Sequence, residues 1–99
     1  MMIDRNQELA EKYLNTGLEN SKKGKVDLAI EDYTKAIELK PDYADAYYYR
    51  SKAWLHFGKV ERAKSDMVKA SEIGINSKTA LDDLMQQYGR AWKILGNVQ

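Results

Sequence analysis

The 99-residue chain has no cysteine, which removes disulfides, thiolate nucleophiles and cysteine-based zinc sites together. The same absence leaves its redox compartment unread. One proline and six glycines are few breakers for this length, and they favour long helices. No run approaches the roughly 20 apolar residues needed to span a bilayer. Residues 1–8 turn polar at once and lack the apolar stretch of a signal peptide, so a cytoplasmic location is the expectation. An excess of charge is missing too. Sixteen lysines and arginines face fifteen aspartates and glutamates, and a net charge of +1 offers no field for a nucleic-acid backbone, an anionic membrane or a strongly acidic partner. What remains, 43% apolar and 31% charged residues, is the composition of an ordinary folded domain. A single domain over residues 1–99 is expected, burying roughly 60–70% of its unfolded surface.

Catalytic chemistry has little to work with. His56 is the only histidine, and no glycine-rich phosphate loop or zinc spacing accompanies it. A lone histidine at a helix end reads as a surface residue or helix-terminus cation. Glu31-Asp32 and Asp82-Asp83 are adjacent in sequence, so on a helix each pair diverges and forms no two-carboxylate site. No enzyme activity, no cofactor and no metal are expected.

Sliding the sequence by 34 positions aligns residues 10–43 with 44–77. Ten pairs are identical, among them Tyr13/Tyr47, Gly24/Gly58, Ala29/Ala63, Asp32/Asp66 and Ala36/Ala70, where chance would give about two. A period of this length marks a supersecondary unit that covers its neighbour's apolar face. The chain is a short array.

The elements within each unit are helices. Asp4 with Gln7 makes a capping-box pattern, so a first helix starts near Arg5 and runs to about Lys23. Gly24-Lys25 turns the chain, and Val26, Ala29, Ile30, Tyr33 and Ile37 recur at helical spacing. Lys40-Pro41 ends this second helix, with Asp42 placed to cap the third over about 43–57. Val60, Ala63, Met67 and Ala70 carry a fourth helix to Ile73-Gly74. A fifth, capped by Asn76 or Ser77, has Leu81, Leu84, Met85, Tyr88, Trp92 and Leu95 along one stripe. Trp54 and Trp92 read as filler between helices. The fold class is all-α.

These residues resemble the tetratricopeptide repeat (TPR) family, whose 34-residue unit favours an aromatic at position 4, a small residue at 8, and alanine at 20 and 27. It also favours an aromatic at 24 and proline at 32. The first unit supplies Tyr13, Gly17, Ala29, Ala36, Tyr33 and Pro41 there; the second supplies Tyr47, Ser51, Ala63, Ala70, Met67 and Ile75. The resemblance implies an α-solenoid of two helix–turn–helix units, 10–43 and 44–77, closed by a solvating helix over 78–96. It also implies a protein-interaction adaptor or scaffold, with the partner lying on the concave face made by the first helix of each unit.

Carried onto this chain, the concave positions give Leu14, Asn15, Leu18, Tyr48, Tyr49, Lys52, Leu55, His56 and Arg90 as the partner-binding groove. Helical spacing supports an exposed aromatic independently: Tyr47, Tyr48 and Tyr49 fan over roughly 200° of a helix, and one buried stripe cannot hold all three. With Tyr47 packing, Tyr48 and Tyr49 fall nearer the groove, where each can meet a partner or simply hold the units together. Lys22, Lys52 and Arg90 read as solvated charges. Some TPR co-chaperones grip an acidic chaperone tail with a two-carboxylate clamp. At its five positions this chain has Leu14, Leu18, Tyr49, Thr79 and Asp83, none of which matches. A partly apolar or aromatic protein segment is therefore the expected partner, with no nucleic acid and no membrane. The alternative is self-association, as a homodimer through an uncapped N-terminal edge or as a piece of a larger TPR scaffold.

Overall fold

The computed structural model describes residues 5–74 as four helices: α1 (Arg5–Lys22), α2 (Val26–Leu39), α3 (Ala44–His56) and α4 (Val60–Ile73). Their limits fall within a residue or so of those expected from the spacing. The expected fifth helix, with Trp92 and Arg90, lies outside the described residues, as does Asp4 of the capping box.

The turns inside the two units are built alike. Lys25 N–H donates to the Asn20 carbonyl at 2.8 Å and Gly24 N–H to the Ser21 carbonyl at 3.0 Å. Thirty-four positions on, Lys59 N–H donates to the Trp54 carbonyl at 2.9 Å and Gly58 N–H to the Leu55 carbonyl at 3.0 Å. Both are Schellman closures, which need a left-handed residue, and Gly24 (φ 79°) and Gly58 (φ 72°) supply it. The connection between units works differently. Lys40, held by the following proline, leaves the helical region (φ −139°, ψ 87°) and ends α2. One expectation is corrected here: Tyr43, not Asp42, takes the N-cap position of α3, and no side-chain hydrogen bond caps it. Tyr43 N–H instead closes the turn onto the Lys40 carbonyl at 3.0 Å.

α1 packs on α2, α3 on α4, and α2 on α3, so the second unit stacks on the first through its leading helix. Alanines make the close approaches: Ala10, Ala29, Ala36, Ala46, Ala63 and Ala70 are all fully buried. Around them Leu14, Val26, Ile30 and Tyr33 fill the first unit, with Tyr43 between the units and Tyr49 and Trp54 of the second unit packed against that cluster. Tyr48, Met67 and Ala70 form the smaller core of the second unit.

A polar tie joins the units as well. Arg50 on α3 donates from Nε to Asp66 Oδ2 at 2.7 Å and from Nη2 to Oδ1 at 2.8 Å, a two-pronged ion pair. Its remaining nitrogen, Nη1, donates to Thr34 Oγ1 of α2 at 3.1 Å, and that hydroxyl donates to the Ile30 carbonyl at 2.7 Å. Asp66 sits in the packed stripe of α4 beside Ala63, Met67 and Ala70 and is itself buried. The hydrogen bond to this carboxylate holds the guanidinium pKa above its ordinary value, against the opposing effect of burial.

Candidate functional site

A groove of about 330 Å³ opens between α1 and α3. Leu18, Ser21 and Lys22 on the last turns of α1 form one wall, and Tyr49, Lys52, Ala53 and His56 on α3 form the other. Val26 and Tyr33 of α2 close the base. The two tyrosine rings meet there, Tyr33 and Tyr49 stacking with centroids 6.1 Å apart and planes 28° apart. Tyr48 meets Tyr49 edge-on at 5.1 Å, so the Tyr49 ring is held from two sides while staying part-exposed. Offset-stacked and edge-on contacts of this kind hold a ring in place beyond what its buried area alone supplies.

Tyr33 is 2% exposed, and burial pushes its hydroxyl up to about 12. A hydrogen bond with the Ser21 side chain works in the opposite direction, while Tyr49 and Asp32 add to the rise. The Tyr33 hydroxyl is thus a neutral donor or acceptor at the base of the groove throughout the neutral range.

The expected groove residues that the structure describes divide into three groups. Leu18, Tyr49, Lys52 and His56 come together in the groove. Asn15 is exposed on α1 and Leu55 is half-buried, packed against the second unit's core; neither lines the groove. Leu14 and Tyr48 need correction as open groove residues. They are 6% and 7% exposed, in the cores of the first and second units respectively. They are also repeat-equivalents, 34 residues apart, so the same position points inward in both units. Arg90 lies outside the described residues. Val26 and Tyr33, which recur at helical spacing on α2, belong to the core and also form the groove's base, a double role that spacing alone does not separate.

The described residues hold no cluster of three or more histidine, aspartate or glutamate side chains suited to a metal ion. None of their helices is long and apolar enough to cross a membrane.

A family model for the TPR repeat matches residues 17–55, from the middle of α1 to the end of α3. The chain belongs to the TPR family. An uncharacterised protein of Methanocaldococcus jannaschii is 40% identical over 62 residues, 63% of this chain and 72% of that protein. Two longer proteins are similar over a small part of their length. The Bos taurus protein SGT1 homolog is 46% identical over 55 residues, 54% of this chain and 16% of that protein. Human DnaJ homolog subfamily C member 7 is 40% identical over 60 residues, 61% of this chain and 12% of that protein. TPR domains generally mediate protein–protein interaction and typically scaffold rather than catalyse. In the first unit this TPR chain meets its family's pattern with Gly17 set against the Tyr33 ring and with Ala29 and Ala36 fully buried.

Proposed function

We propose that this chain is an adaptor that seats a partly apolar or aromatic segment of a partner protein, a peptide or a helix, in the groove between α1 and α3. One observation carries the reading: the Tyr49 ring of the second unit, braced by Tyr33 and Tyr48, stays part-exposed over a base that Val26 and Tyr33 of the first unit build. Rigid aromatic anchors at the centre of a concave site are where binding energy concentrates. Leu18, Val26 and Ala53 beside it suit the apolar side chains of an amphipathic segment. A two-carboxylate clamp does not suit the same surface, because two of its positions are Leu18 and Tyr49, and a third, Leu14, is in the core.

The test is affinity capture from extract of the native host, read by mass spectrometry, with Tyr49→Ala and Leu18→Asp as controls. The proposal expects both variants to keep the fold by circular dichroism and to lose the partner recovered with the unaltered chain. Retention of that partner by both variants contradicts it.

A second reading has its own observation. Leu9, 42% exposed, joins Tyr13 and Leu39 around a cleft of about 200 Å³ on the first unit. Such a surface suits another copy of the chain or a further repeat. Light scattering across a hundredfold concentration range distinguishes the two readings, since an adaptor acting alone stays monomeric throughout.

A further inference from the structure

The groove's charge is one-sided. Of the described residues lining it, Lys22 and Lys52 are cationic, while none is an aspartate or glutamate. Lys22 meets Glu19 only at 3.9 Å, with the two side chains 77% and 64% exposed, so its charge is not consumed. The Lys52 ammonium stands 5.6 Å from the centre of the Tyr48 ring, a contact that steadies the side chain and leaves the positive charge in place. Below these cations the groove is walled by Leu18, Val26 and Ala53. A concave site with low-dielectric walls and charges of one sign focuses the field toward a ligand of the other sign. The whole-chain charge of +1 hides this local excess.

We infer that the partner segment carries an acidic side chain next to an apolar or aromatic one. The apolar group packs on the Tyr49 ring and the carboxylate reaches Lys22 and Lys52. This rests on the groove being the docking site, as proposed above. It is a different arrangement from a two-carboxylate clamp, since Lys22 and Lys52 stand at other positions of their helices, one in each unit. Both the apolar and the acidic parts are needed: rim charges set partner choice and encounter rate, and the buried ring supplies most of the affinity.

The test uses three fluorescein-labelled octapeptides of one backbone, each with a phenylalanine and a leucine. They differ only in carrying two aspartates, two asparagines or two lysines. By fluorescence anisotropy in about 20 mM salt, the aspartate peptide binds roughly tenfold tighter than the asparagine peptide, and the lysine peptide binds weakest. The gap narrows as salt rises. Combining Lys22→Glu with Lys52→Met, which keeps the aliphatic stem over Tyr48, abolishes the aspartate preference, read as the ratio of aspartate- to asparagine-peptide affinity within the variant. Tyr49→Ala weakens all three.

Equal binding of the aspartate and asparagine peptides overturns the inference, as does a preference that survives the double substitution. In either case continued sensitivity to Tyr49→Ala leaves the groove standing as the docking site. Binding of all three that is indifferent to Tyr49→Ala overturns the inference and the groove reading together. No binding of the aspartate peptide up to about 1 mM overturns the inference.

Discussion

Gly17 on α1 and the ring of Tyr33 on α2 compete for one space: a side-chain carbon on Gly17 would lie 2.5 Å from Tyr33 Cε1 and 2.8 Å from Cδ1. The ring is 2% exposed and stacked on Tyr49, so it has nowhere to retreat. In the second unit the equivalent residues are Ser51 and Met67. Ser51 is fully buried, and its hydroxyl donates to the Tyr48 carbonyl at 2.6 Å. A flexible methionine leaves room for that extra side chain, where a planar ring does not. The second unit's two differences from the first at these positions, serine for glycine and methionine for tyrosine, are one compensated change.

Gly17→Ser is therefore expected to destabilise the chain by about 1–3 kcal/mol, although glycine is the poorer helix former. In a Tyr33→Met background the same substitution should cost less than about 1 kcal/mol. Urea denaturation of the four proteins in the cycle measures the coupling. Equal costs in both backgrounds contradict the steric account.

The Arg50–Asp66 pair predicts an asymmetric response. Arg50→Met leaves a buried carboxylate without its partner and should cost about 2–4 kcal/mol. Arg50→Met combined with Asp66→Leu should cost less than either single change, because no orphaned charge remains. Thr34→Val removes the hydrogen bond from Arg50 Nη1 and the hydroxyl's own bond to the Ile30 carbonyl but leaves the ion pair, and about 1 kcal/mol is expected. Denaturant midpoints of the four variants decide the order.

Alkaline stability follows from Tyr33. An unfolded tyrosine ionises near 10, whereas burial lifts the folded hydroxyl to about 12. Folding thus holds a proton that the unfolded chain releases. The neutral-pH stability is fully present below 10 and falls by up to about 2–3 kcal/mol as pH rises toward 12. Tyr33→Phe, which cannot ionise, should show a shallower loss between pH 9 and 11.5 than the unaltered chain, as read by denaturation at several pH values. Parallel losses in the two proteins contradict the assignment.

Much of the architecture was legible because the 34-residue period repeats the marks that start and stop each helix. Gly24 and Gly58 recur, and both close the same turn; the lone proline stands where the units join. The azimuth of Tyr48 was not legible. Three consecutive tyrosines satisfy a helical stripe in more than one rotation, and the choice depends on what α4 offers across the interface. Met67 and Ala70 offer a depression that Tyr48 fills, so Tyr49 alone is left toward the groove. Comparison with Leu14, the equivalent in the first unit, was the available signal. The ion pair escaped for a related reason. Asp66 lies on an apolar stripe, a sign of a buried partner, but its partner Arg50 is 16 residues away on another helix. Asp32, the equivalent carboxylate, accepts from Asn20 Nδ2 at 2.7 Å instead, so the repeat itself does not reveal the pair.

The central claim is that the groove between α1 and α3 is where a protein partner docks. Amide chemical-shift mapping of the isotope-labelled chain, titrated with the partner recovered by capture, tests it most directly. The largest shifts are predicted at Leu18, Tyr49, Lys52 and Ala53, with little change at Arg62, Ser65 and Lys69 on α4. Shifts centred on those α4 residues, with the groove unperturbed, would contradict the account.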